Sequence, residues 1–150
     1  MKEIKGNIWE YQEQGFPIVV PTNGQVNSQG KCIMGEGLAK EAAEKFPGLP
    51  LKIGMHIKKF GNRGTFFDEF GIFTFPTKHH WNLEADIDLI HTSCKNIKMF
   101  VAFCDFKQIY MPRVGCGNGK LLWEDVRPIL EKELDDRFII VDNHVGNSII

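Results

Sequence analysis

The sequence predicts a layered α/β domain with a mostly parallel sheet, and three observations carry that expectation. Short β-prone runs alternate with amphipathic helical stretches, two strand ends run into glycine-rich loops that lead toward helices, and no composition shift divides the chain. At 150 residues with 43% hydrophobic content, the chain has a common size for one compact domain with its own core. There is no repeat, low-complexity stretch or Ser/Pro/Gly linker, so one domain over residues 1–150 is expected.

Taken in order, Ile4 to Trp9 and Pro17 to Val20 read as short strands, the second stopped by Pro-Thr-Asn-Gly. Leu38, Ala39, Ala42, Ala43 and Phe46 recur at helical spacing, and Pro47-Gly48 ends that helix. Phe66 to Phe70 and Ile72 to Phe75 read as two strands joined near Gly71, followed by a Thr-Lys-His-His loop. Leu83, Ile87, Ile90, Cys94, Ile97 and Val101 step by four, three, four, three and four, which gives one apolar face of a long helix. Gln108 to Met111 is a short strand. Trp123, Val126, Ile129, Leu130 and Leu134 trace a second amphipathic helix, with Pro128 expected in its first turns. Phe138 to Val141 is a strand of the fully buried kind.

Bulk properties narrow the function classes. A net charge of -1 provides no global field for duplex nucleic acid, which is held through many phosphate contacts. Charge is nonetheless uneven: Lys52, Lys58, Lys59, Arg63 and Lys78 face only Asp68 and Glu69 between positions 51 and 82. Such a stretch suits a departing nucleic-acid strand and equally a solvated face. Cys32, Cys94, Cys104 and Cys116 form no CxxC pair, so reduced thiols in a cytoplasmic protein are expected. No apolar run has signal-peptide or membrane-spanning length, and a monomer without membrane contact is expected.

The chemistry points to the two glycine loops, Asn27-Ser-Gln-Gly-Lys-Cys-Ile-Met-Gly-Glu-Gly-Leu38 and Gly115-Cys-Gly-Asn-Gly-Lys120. Each leaves a strand end, where a parallel sheet binds ligands. Glycine allows close backbone approach to a phosphate, and a helix N-terminus adds partial positive charge. Two such loops suit a diphosphate. Neither is a Walker A sequence or a Rossmann G-x-G-x-x-G. A lone glycine pair would more simply mark a turn, but two loops in equivalent positions favour a ligand.

Lys5-Gly-Asn-Ile8, the Asn-rich turn Pro21 to Asn27, Met34-Gly-Glu-Gly-Leu-Ala39, Phe75-Pro-Thr-Lys-His-His-Trp81 and Met111-Pro-Arg-Val-Gly-Cys-Gly-Asn-Gly-Lys-Leu-Leu-Trp123 together resemble a macrodomain, in that family's order. Thr-Lys and Gly-Cys-Gly are most similar to the branch of terminal ADP-ribose protein glycohydrolase and the bacterial antitoxin macrodomains that strip ADP-ribose from thymidine in DNA. The resemblance implies a three-layer α/β/α fold with a central mixed, mostly parallel sheet, and ADP-ribose as ligand without a cofactor. It places adenosine near Asn7 and Ile8, and the diphosphate and distal ribose among Asn23, Gly30, Met34, Gly35, Gly37, Leu38, Thr77, His79, Gly115, Cys116, Gly117, Asn118, Gly119 and Lys120. Where many macrodomains carry an Asp for adenine, this chain has Asn7, which still offers an acceptor without the charge.

The resemblance further implies that Lys78 attacks the anomeric carbon of the distal ribose to form a covalent lysyl intermediate. An amine is nucleophilic only when unprotonated, so its site must lower its pKa, with His79, His80 and burial as candidate causes. Asn27 matches a distal-ribose asparagine, although Asn in such a loop commonly stabilises a turn. Terminal ADP-ribose protein glycohydrolase has an acid two places after its Gly-Cys-Gly, where this chain has Gly119. That steers the expected acceptor from protein carboxylates toward ADP-ribosylated DNA, single-stranded where it leaves the cleft. A non-catalytic ADP-ribose reader and an ADP-ribose-1″-phosphate phosphatase are the alternatives. Cys116 has no histidine partner fixed by spacing and is not expected to be a nucleophile. His79-His80 is not a metal-spaced pair, and no metal is expected. Trp81 and Trp123 read as packing residues at helix entries, and Asp142, Asn143 and His144 as an edge of the adenosine cleft.

Overall fold

The computed structural model describes residues 1–142, so Asn143 and His144 lie outside the described residues. Six strands form one sheet in the order β1-β6-β5-β2-β4-β3. These are β1 (Lys2–Lys5), β2 (Ile18–Asn23), β3 (Phe66–Phe67), β4 (Ile72–Lys78), β5 (Ile109–Met111) and β6 (Phe138–Asp142). All pairings are parallel except β3 against β4.

Helices α1 (Ile8–Glu13), α2 (Gly37–Lys45) and α3 (Leu49–Phe60) cover one face, where Ile8, Leu38, Ala42 and Ile53 bury against Ile18, Val20, Ile72, Tyr110 and Val141. The other face carries α4 (Ile87–Phe103) and α5 (Trp123–Glu133), whose Ile90, Cys94, Ile97, Val126 and Leu130 pack on Val19, Phe73, Phe75, Met111 and Ile140. Alternation along each strand therefore feeds two cores, the pattern of a sheet covered on both faces. No helix among the described residues is long and apolar enough to cross a membrane.

Several local expectations change. The run from Ile4 to Trp9 is not one strand: β1 stops at Lys5, and Asn7 caps α1 by accepting from the Trp9 amide at 3.0 Å. Of Phe66 to Phe70 only Phe66–Phe67 pairs, because Asp68 to Gly71 forms the turn into β4. The long helix begins at Ile87, not Leu83, since the Asp86 carboxylate caps it by accepting from the Asp88 and Leu89 amides. Pro128, by contrast, is where it is expected, the sixth residue of α5, within its first two turns and exposed. Helix α3 has no counterpart in the sequence reading. It carries Pro50 in its first turn, where a missing N–H costs nothing, and ends at Gly61 with φ +84°.

Candidate active site

Strand β2 sends the chain to α2 on one face, whereas its neighbours β4 and β5 send it to α4 and α5 on the other. Diverging connections leave a crevice at the carboxyl ends of such strands. A cleft of about 260 Å³ opens there, floored by Pro21, Thr22 and Asn23 of β2 and walled by the α2 entry, the end of β4 with the turn after it, and the Gly115–Lys120 loop.

The far walls are tied together by main-chain bonds. The Ala85 amide donates to Gly119 O at 3.0 Å and the Asp86 amide to Thr77 O at 2.8 Å, so the entry to α4 clasps both the glycine loop and β4. Within the loop, Leu121 N donates to Gly115 O at 2.9 Å and Lys120 N to Gly117 O at 3.0 Å. Gly115 has φ +78°, and a Cβ there would lie 2.8 Å from Ile90 Cδ1. At Gly119 a Cβ would stand 2.5 Å from Gly115 O and 2.7 Å from Ala85 Cβ. Both positions therefore admit only glycine. This accounts for the missing acid: a carboxylate side chain has no room at 119. Lys120 has φ +64°, the one non-glycine among the described residues in the left-handed region, at the cleft wall.

On the opposite wall α2 begins at Gly37, with φ +63°. Its cap residue, Glu36, makes no side-chain cap bond, and the first turn holds no acid. The free N–H groups at this end, with the partial positive charge of the helix, suit an anion.

Lys78 ends β4. The β2–β4 register shifts between Thr22 and Asn23, so that Thr22 faces Pro76 and Asn23 faces Lys78; Thr77 is the extra residue of a bulge, a device that re-aims side chains at a strand end. Asn62 Nδ2 donates to Lys78 O at 3.0 Å, and Lys78 Nζ donates to Trp81 O at 3.4 Å. Burial holds the Lys78 ammonium below the usual lysine range; Glu36 opposes this by stabilising the cation, and Lys120 assists by repelling it.

Of the residues expected at the ligand, Asn23, Gly35, Leu38, Thr77, Lys78, Gly115, Gly117, Asn118, Gly119 and Lys120 line this one cleft. The others are not among its lining residues. Asn27 is exposed, and its side-chain oxygen accepts from Gln29 N at 2.9 Å and Lys31 N at 3.0 Å, so it stabilises its own turn. Asn23 is the buried asparagine at the cleft, donating to Ile33 O at 2.7 Å and accepting from Gln25 N at 2.9 Å. Gly30 packs on α3, where a Cβ on Gly54 would meet Gly30 O at 1.9 Å. Met34 packs against the core, and Gly37 opens α2 at the cleft wall, between the lining residues Glu36 and Leu38. His79 does not line the cleft; its Nε2 lies 2.8 Å from Asp86 Oδ2. The groups that bias Lys78 are thus Glu36 and Lys120, not His79 and His80. Asn7 caps α1 and Ile8 is fully buried, and neither is among the residues that line this cleft.

The Cys116 thiol donates to Val114 O at 3.4 Å, and burial pushes its pKa up to about 11. That leaves it protonated and unsuited to attack. Trp123 packs against the core with its indole N–H on Glu3, but Trp81 corrects its expectation. It is 48% exposed and lines the cleft with Asn82, Leu83 and Glu84. Trp81 to Glu84 were missed because they follow the end of β4 without a glycine motif of their own, and Glu36 because the glycines on either side of it carried the reading of that loop. The position of Trp81 in the turn after Lys78 was the available signal.

No protein-family model matches the chain. Among solved structures, the macrodomain of Thermus aquaticus DarG superposes with a TM-score of 0.73 at 23% identity, over 94% of this chain and 96% of that one. The macrodomain of Mycobacterium tuberculosis DarG gives 0.67 at 22% identity, over 84% and 88%. The chain has the macrodomain fold. The expected three-layer α/β/α architecture with a mostly parallel mixed sheet is therefore the one observed. The chain also superposes on Thermosipho africanus DarTG in complex with ADP-ribose, with a TM-score of 0.74 at 22% identity, over 100% of this chain and 43% of that one. A DNA ADP-ribosyl glycohydrolase of Thermus aquaticus is 24% identical over 146 residues, and the chain spans 38% of that relative's length.

Proposed function

We propose that this macrodomain binds ADP-ribose in the cleft above β2 and hydrolyses ADP-ribosyl groups from a macromolecular acceptor, DNA in preference to protein, with Lys78 as nucleophile. The observation that carries the reading is the placement of Lys78: a partly buried amine at the end of β4, with a lowered pKa, in a cleft bounded by a helix N-terminus and a glycine loop. The α2 entry and the Gly115–Lys120 loop hold the diphosphate through backbone N–H groups. The distal ribose then lies over Asn23 and Thr77, within reach of Lys78.

In this reaction the free amine of Lys78 forms a bond to the anomeric carbon as the bond from that carbon to the acceptor breaks. The acceptor leaves with the electron pair and takes up a proton. Water hydrolyses the lysyl adduct and regenerates the amine. The name of the 24% identical relative and the lack of room for an acid at Gly119 both support DNA as the acceptor.

The test is release of ADP-ribose from an ADP-ribosylated thymidine oligonucleotide and from ADP-ribosylated protein, with calorimetry of ADP-ribose binding alongside. Wild type is expected to turn over the oligonucleotide faster, and Lys78→Ala to bind ADP-ribose without turnover. Tight binding with no turnover by the wild type would make the chain a reader instead.

A further inference from the structure

The C-terminal end of α3 is an exposed surface that the cleft does not use. Lys58, Lys59, Phe60 and Arg63 are all exposed and none lines the cleft. Phe60 is 56% exposed, with Lys59 Nζ 5.3 Å from its ring centroid and the His56 ring centroid 4.8 Å from it. No Asp or Glu occurs from residue 45 to residue 67. Lys52, further up the helix, pairs with Glu69; Lys58, Lys59 and Arg63 take part in no salt bridge among the described residues.

Two lysines in a last helical turn complement the helix dipole, so charge alone does not assign this surface. Phe60 and the position of the patch do. Asn62, between Phe60 and Arg63, donates to the main-chain oxygen of Lys78 at 3.0 Å, and a Cβ on Gly24 would touch its side chain at 2.7 Å. The patch is therefore anchored between the ends of β2 and β4, beside the reacting lysine. An acceptor released at Lys78 emerges next to cations outside any salt bridge among the described residues and an aromatic ring that is more than half exposed. That combination fits a flexible polyanion with stackable bases, because a ring face accepts any unpaired base while cations follow the phosphates. An acidic protein segment would use the cations and leave Phe60 without a role.

We propose that Lys58, Lys59, Phe60 and Arg63 form a single-stranded DNA surface that holds the strand flanking the modified nucleotide. The inference rests on the hydrolase reading for the point at which the strand leaves the cleft, but binding by the patch is measurable without turnover.

The experiment is fluorescence anisotropy of a short, unmodified oligothymidine at low salt with wild type, Lys59→Glu/Arg63→Glu and Phe60→Ala. Wild type should bind, and affinity should fall with salt. The double variant should lose about tenfold or more and show a shallower salt dependence, and Phe60→Ala should lose about fivefold or more. All three proteins should bind ADP-ribose equally, which establishes that the variants fold. Equal oligothymidine binding by wild type and both variants would overturn the proposal. So would polyglutamate binding that matches oligothymidine and ignores Phe60→Ala, since the surface would then belong to an acidic protein. Failure of the hydrolase reading shows separately, as no release from ADP-ribosylated oligonucleotide by a wild type that still binds oligothymidine.

Discussion

Gly119→Ala is the sharpest perturbation of the glycine loop. The added Cβ would lie 2.5 Å from Gly115 O, 2.9 Å from Gly115 C and 2.7 Å from Ala85 Cβ. Ordinary contact begins near 3.4 Å, so the loop must open by about 0.9 Å, the difference between 3.4 and 2.5. Neither neighbour yields easily. Gly115 O is held by Leu121 N at 2.9 Å, and the backbone at 119 is held by its own bond from Ala85 N. Overpacking typically costs about 1–3 kcal/mol, and a weakened loop hydrogen bond adds about 1 kcal/mol. A total of about 2–4 kcal/mol lowers the Tm of a domain this size by roughly 5–15 °C. Circular dichroism melting measures it, with Gly48→Ala as control, because a Cβ at Gly48 meets nothing within 4 Å. Calorimetry of the same protein should show ADP-ribose binding weakened about tenfold or more, by the shift of the diphosphate loop. A Gly119→Ala protein with wild-type Tm and affinity would refute both the packing argument and the loop's assigned role.

The pH dependence of turnover follows from the environment of Lys78. Only the free amine attacks, and burial lowers its pKa, so kcat/KM should rise with pH and level off below the range of an ordinary lysine. Glu36→Gln removes a charge that favours the ammonium and should move that limb to lower pH, while Lys120→Gln removes a repelling charge and should move it higher; shifts in the same direction would contradict the assignment. The two asparagines should also separate. Asn23→Ala strands two part-buried partners, Ile33 O and Gln25 N, at about 1–3 kcal/mol, with ADP-ribose affinity reduced; Asn27→Ala, in an exposed turn, should cost under about 1 kcal/mol and leave affinity unchanged. The opposite ranking in melting and calorimetry would return Asn27 to the site.

Where the chain's local chemistry and its tertiary demands agree, the fold was legible. The apolar spacing from Ile87 to Val101 reports a face that is in fact buried against β4 and β5, and the glycines at 115 and 119 mark positions where any side chain collides. Helix α3 was hidden because its apolar positions Leu49, Ile53 and Ile57 are interrupted by Pro50 and Gly54. Gly54 is there for close packing on Gly30 O, a requirement set by a loop distant in sequence. Helix α1 has only six residues, and the β-prone Ile8 and Trp9 outweighed its Asn7 cap. The choice between Asn23 and Asn27 depends on where β2 ends, and Trp81 on whether its turn faces core or cleft. Neither is encoded by residue type alone.

The central claim is that Lys78 forms a covalent bond to the distal ribose, and borohydride trapping during turnover tests it most directly. Attack on the anomeric carbon yields a lysyl adduct whose ring-opened form is an imine, which borohydride reduces to a stable amine. Peptide mass spectrometry of wild type turning over ADP-ribosylated oligonucleotide should then find ADP-ribose on Lys78, with none on Lys78→Ala or Lys120. Turnover by wild type with no trapped adduct at Lys78, together with undiminished turnover by Lys78→Ala, would contradict the account.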